Sequence, residues 1–214
     1  MKKTIIIISI LIVIGILGFV AYSFLASSKV PQAFVDKHNE IASLDGEATQ
    51  LADLNGMPEL DALGKQMDSE DYSGALKSIE AALGRKKDAF SKLSSIDDKL
   101  VELKTLSAGI SNAEVKTSSD KFIEIAKKGN SSKINYNDLQ IQMLEKLKTM
   151  VGILEKNSKT ISATDEKKVN DLSKQIDDIK SQFDSAQIEF DKVQGQYKEA
   201  EKEFFGLAGL EAGK

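Results

Sequence analysis

Apolar residues recur every seven positions at Val169, Ile176, Phe183, Phe190, Tyr197 and Phe204, and a second column lies three residues behind at Leu172, Ile179, Ala186, Val193, Ala200 and Leu207. Two columns so spaced form the a/d seam of a packed helix, and here they run without a miss. Ser162 lies three positions before Asp165, the spacing of an N-terminal capping pair, and Asp165 and Glu166 suit the positive end of a helix dipole. The pattern predicts a helix over 163–206, about 65 Å long. Its e and g positions, among them Lys180, Gln187, Glu189, Gln194, Gln196, Glu201 and Glu203, offer few opposite-charge pairs to an identical parallel chain. The seam is therefore expected to pack on other helices of its own chain.

Those helices are legible upstream. Pro31 suits the first turn of a helix over about 31–54 that carries Phe34, Ile41, Leu44, Ala48 and Leu51. The run Asn55-Gly56-Met57-Pro58 ends it. A short helix over 58–68, with Leu60, Leu63 and Met67, precedes a long one over 71–107. The seam of the latter reads Leu76, Ile79, Leu83, Phe90, Leu93, Leu100 and Leu103, and is broken by Lys86 and Asp97. Gly129-Asn130 divides the next stretch into helices over 112–128 and 136–157. The second of these is apolar over a wider stripe, at Leu139, Leu144, Val151 and Ile153, which places it centrally. Gly46, Gly74, Gly84, Gly152 and Gly195 all fall on outer positions of these frames. The expected fold is all-α: an elongated antiparallel helical bundle over 29–214 with coiled-coil-like packing, three long helices running up-down-up and the first helix as a partial fourth member.

Residues 1–28 differ in character. Ile5 to Leu25 holds no charge and would span about 31 Å as a helix, close to the hydrocarbon thickness of a bilayer. Lys2 and Lys3 precede it. The expectation is a cytoplasmic stub and a single transmembrane anchor, with the N-terminus cytoplasmic and the body extracytoplasmic at the cell membrane. Small-x-small sites at Ala21-Tyr22-Ser23 and Ala26-Ser27-Ser28 keep a cleaved, secreted form as the alternative. The layout of short cytoplasmic end, one span and long helices resembles that of LemA-type membrane proteins in architecture, with no motif in common.

Composition narrows the chemistry. The 214 residues include 29 Lys plus Arg, 33 Asp plus Glu, one histidine, no cysteine and no tryptophan. Lys2 and Lys3 are the only charges before residue 29, so the body carries 27 basic and 33 acidic side chains, a net of −6. That balance disfavours nucleic acid as a partner. Absence of cysteine excludes disulfides and thiolate metal sites, and a lone His38 excludes a multi-histidine one. His38 is expected at the surface. The adjacent acids Asp97-Asp98 and Asp177-Asp178 diverge by about 100° on a helix and cannot act as a dyad. Arg85-Lys86-Lys87 is the most basic spot, and Asn130-Ser131-Ser132 forms a glycosylation sequon expected in an outer loop. No phosphate-binding or dinucleotide loop is present, and the glycine-bearing tail from Gly206 reads as a frayed end.

The chain is thus expected not to be an enzyme and to need no metal, cofactor or small-molecule substrate. It is expected to act as a structural or protein-interaction module of the cell envelope, on an envelope protein or on a second copy of itself. A sensory or regulatory bundle that binds a ligand and acts through a membrane partner is the alternative. The candidate partner contacts are Phe204, Phe205, Leu207 and Leu210, which crowd the end of the last helix.

Overall fold

The computed structural model describes residues 29–52, 58–157 and 160–210. The Ile5–Leu25 span lies outside them. Among the described residues no helix is long and apolar enough to cross a membrane. The described chain is all-helical: α1 (Gln32–Ala52), α2 (Pro58–Asp68), α3 (Tyr72–Ser107), α4 (Ala113–Lys156) and α5 (Ala163–Ala208). At 1.5 Å per residue α5 is about 69 Å long. α3, α4 and α5 alternate in direction, and α4 packs against both neighbours. α1 packs against α3, where the pairs Lys37–Glu102, Lys99–Glu40 and Lys92–Glu47 step along the two helices in opposite senses. α2 covers the first half of α3, seating Leu63 among Ala75, Ile79 and Ala82. α1 and α2 together fill the fourth place in the bundle.

The α5 seam stands as its spacing predicts: every a and d residue from Val169 to Leu207 is buried or half-buried. Ile188, on the opposite face, is 72% exposed. Ser162 caps the helix by accepting from the Asp165 backbone N–H at 3.1 Å. The hydroxyl in turn donates to the Asp165 carboxylate at 2.9 Å, which holds that carboxyl below its usual range. The far end is not frayed. Gly209 adopts φ 73° and closes α5, with the Leu210 N–H donating to Phe205 O at 2.9 Å.

α3 corrects the expected seam at one position. Its buried columns are Ala75, Ala82, Ala89, Ile96 and Leu103, with Ile79, Lys86, Leu93, Leu100 and Ser107. Of the expected seam, Ile79, Leu83, Leu93, Leu100 and Leu103 are buried and Leu76 is half-buried, with Lys86 and Asp97 at the expected breaks; the departure is at Phe90, whose neighbour Ala89 is buried instead. Phe90 is exposed. Ala75 and Ala82 are buried in one cluster with Leu83, and Leu76 packs against it.

α4 corrects a boundary. No break separates 112–128 from 136–157; one helix runs through Gly129-Asn130. Two asparagines near its centre, Asn130 and Asn137, explain this. Asn130 Nδ2 donates to Leu93 O and Asn137 Nδ2 to Lys86 O, each at 2.8 Å. Donors one heptad apart on α4 thus meet acceptors one heptad apart on the antiparallel α3. Such cross-helix bonds hold the helix through a sequence whose local propensity is poor. The sequon is therefore inside a helix, with Asn130 buried, and is not a glycan acceptor site.

Glycine placement yields a prediction. A Cβ at Gly84 or Gly195 would meet no atom within 4 Å. Gly195→Ala should raise stability by about 1 kcal/mol, as expected for an open helix-interior site. Gly74 differs, because a Cβ there would lie 2.1 Å from the Asp71 carboxylate that caps α3. Gly74→Ala should give no net gain, the lost cap offsetting the propensity. Chemical denaturation of the two variants checks both signs.

Candidate functional site

α1, α3, α4 and α5 leave a cavity of about 130 Å³ where they meet. Its apolar walls come from Ile41 and Ala42 of α1, Ile96 and Leu100 of α3, Ala126 of α4 and Val193 of α5. Gly129 belongs to the lining and faces α5: a Cβ there would make ordinary contact with Val193 Cγ1 at 3.8 Å. One aromatic wall joins Phe122 of α4 to Tyr197 of α5, their ring centroids 5.3 Å apart.

The polar groups of the cavity come from α1, α4 and α5. Asp45 of α1 and Lys133 of α4 form an ion pair at 2.5 and 2.6 Å, with side-chain exposures of 16% and 12%. Glu201 of α5 is partly buried, and desolvation pushes its carboxyl up to about 7 against the opposing influence of Lys198. Burial likewise raises the Tyr197 phenol, and the nearby Glu201 and Asp45 charges add to that. Asn130 is 4% exposed and spends both its amide protons on α3, on Leu93 O and Asp97 Oδ1. Its Oδ1 accepts no hydrogen bond from the protein.

His38 is not at the surface. It lies on the inner face of α1, four residues after Phe34 and four before Ala42, and packs against Phe122 and Phe205 with centroids 5.7 Å from each. Desolvation lowers its pKa to about 4. Periodicity could have revealed this, since positions 34, 38 and 42 share one helical stripe. The polar interior was foreshadowed by Lys86 and Asp97 breaking the α3 seam. Lys86 is fully buried, and its Nζ donates to Ala52 O, the last carbonyl of α1. That helix has no basic residue of its own in its last turn, so α3 supplies the charge that its C-terminal dipole favours. Only Arg85 and Lys87 of the basic run remain at the surface.

The four residues expected to contact a partner are placed differently. Phe204 is 0% and Phe205 4% exposed. The Phe204 ring lies 5.6 Å from both Phe34 and Phe122. Both phenylalanines are buried in the interior of their own bundle. Leu207 and Leu210 are partly buried against the same cluster.

Two titrations in this cavity oppose one another. His38 resists protonation when folded, so the stability it contributes is full above pH 6.5 and is lost as the pH falls to about 4. Glu201 prefers its proton when folded, so its contribution is full below pH 4.5 and is lost as the pH rises to about 7. Between pH 4.5 and 6.5 the slopes cancel in large part. Stability of the unaltered chain should be nearly flat across that window. Glu201→Gln should leave the His38 slope alone and lose on the order of 3 kcal/mol between pH 6.5 and 4. Urea titrations at stepped pH read this directly. The lowered carboxyls of Glu40, Glu80, Asp120 and Asp165 act below the window.

Among the described residues no group of three or more His, Cys, Asp or Glu is placed to hold a metal ion. The chain matches no family model, no curated protein and no solved structure, so the reading of this site stands on its own residues.

Proposed function

We propose that the chain is a membrane-anchored, extracytoplasmic helical bundle that works by contact, as a structural or interaction module on an envelope protein or a second copy. The observation that carries this reading is the placement of its ends. The start of α1 and the end of α5 pack together, with Phe34 against Phe204 and Lys29 Nζ donating to Leu207 O at 3.1 Å. Four residues separate Leu25 from the packed Val30, a reach of at most about 18 Å. An anchor at Ile5–Leu25 would hold this end of the bundle near the bilayer and carry the other end on the order of 60 Å outward. A partner would then meet the long outer faces of the helices.

Full-length chain should stay with membranes after alkaline extraction, and protease added outside cells stripped of any outer barrier should digest the body. Recovery of a soluble chain beginning near Phe24 or Lys29 would replace the anchor with a secreted form. In-cell crosslinking from exposed positions such as Ile188 should then capture a partner or a second copy. A second reading, a regulatory bundle whose ligand sits between helices, is favoured by the polar-lined cavity at the four-helix junction.

A further inference from the structure

The cavity at the four-helix junction is apolar inside and polar at its edge. Ile41, Ala42, Leu100, Phe122, Ala126 and Val193 give it hydrocarbon on all four sides. Lys198 is exposed and Gln194 and Glu201 are half-buried, which puts these three where the cavity reaches the surface. The deeper charges, Asp45 and Lys133, are spent on each other. Asn130 turns its amide protons to Leu93 O and Asp97 Oδ1 on α3, and its Oδ1 is itself buried. His38, Tyr197 and Glu201 of the lining all shift toward their neutral forms, with desolvation the leading cause in each. Such surroundings penalise a charge of either sign.

The helix arrangement leaves this space. α1 runs along α3 and α5 along α4. α1 meets α5 where Phe34 and His38 stand against Phe204 and Phe205. Farther along, at Ala42 and Val193, the same two helices line the cavity. Its volume is about 130 Å³. A helix about 10 Å across does not fit there, whereas an apolar cavity of about 150 Å³ holds one benzene. The space is therefore sized for a single compact molecule.

We propose that this cavity binds one small uncharged apolar molecule, a body of about benzene's size seated between α1 and α5 against Phe122. The inference rests on the second reading above, that a ligand sits between the helices, and names the class of that ligand. An occupant would bridge α1 to α5 beyond their aromatic contact, so binding and the spacing of these two helices are linked.

Benzene is the probe, with n-butylammonium and butyrate as compact ions of either sign. Methyl NMR of the full-length chain in zwitterionic lipid nanodiscs reads the site itself and ignores ligand dissolved in the lipid. The Ala42, Ala126 and Val193 methyls should move saturably with benzene, while the Ala75 methyl, in the cluster that Leu63 covers, stays still. Either ion should bind about tenfold or more weakly at the same methyls. Ala126→Leu fills the cavity from α4 and should abolish the Val193 response while the thermal midpoint holds or rises. Ala42→Leu fills it from α1 and serves if the first variant fails to fold. Saturable binding of an ion as tight as that of benzene, lost on filling, would overturn the uncharged class and leave the ligand reading standing. No saturable response to any of the three probes, or a benzene response that survives both fillings, would overturn the two together.

Discussion

Phe204→Ala should lower the thermal midpoint of the full-length chain by about 10 °C. The ring is fully buried and stands among Phe34, Phe122 and Phe205, with centroids 5.6, 5.6 and 5.5 Å away. Removing such a side chain typically costs about 3–5 kcal/mol through lost transfer energy and the cavity left behind. In a domain of this size each kcal/mol moves the midpoint by roughly 2–4 °C. Ile188→Ala, on the same helix but exposed, should stay within about 0.5 kcal/mol. Helix loss followed at 222 nm reads both. Equal effects would mean that the α5 seam faces another way. A partner contact made by Phe204 would give the opposite result, with stability kept and crosslinking lost.

Lys86→Ala should destabilise the chain by about 3 kcal/mol, whereas Lys87→Ala next to it should be nearly neutral. The first deletes a long side chain that has no exposed surface and leaves Ala52 O without its charged donor. The second removes one partner of an exposed pair with Glu145 at 3.3 Å. Lys86→Met keeps the volume and relieves the buried charge, so it should cost less than the alanine. If Lys86→Met is as damaging as alanine, the hydrogen bond to α1 outweighs the packing of the side chain. If it is harmless, packing alone explains the position.

Where two columns recur every seven residues without a break, the alternation of apolar positions was enough. α5 is the case: its frame, its cap at Ser162 and its exposed Ile188 all follow from spacing. α3 shows the limit. It packs on several helices at once, and at one turn the buried residue is Ala89 beside the exposed Phe90, which a reading weighted toward large residues passes over. α4 shows a second limit. Gly129-Asn130 has the local chemistry of a helix end, but the Asn130 amide finds partners 33 and 37 residues upstream, and no local pattern carries that information. The cavity was hidden for the same reason. Its polar groups include Asp45 of α1, Asn130 and Lys133 of α4, and Lys198 and Glu201 of α5, each an ordinary polar residue along its helix, and they come together only when the helices pack. His38 alone carried a local sign, its place on the Phe34–Ala42 stripe.

The pairing of the two ends of the chain also sets an order of events during synthesis. Phe34 emerges early from the ribosome, and the ring it packs against lies 170 residues later, at Phe204. At about 5–20 residues per second, that partner arrives roughly 8–35 s afterwards. The helical hairpins α3–α4 and α4–α5 join neighbours in sequence and can close as they appear. The first residues of α1 can meet Leu100, Leu103 and Phe122 of their cluster earlier, but Phe34 stays only partly covered until the last turn of α5 is made. A nascent chain stalled before residue 200 should therefore bind a hydrophobic dye or a holding chaperone through its first helix, and release it once Phe204 and Phe205 emerge.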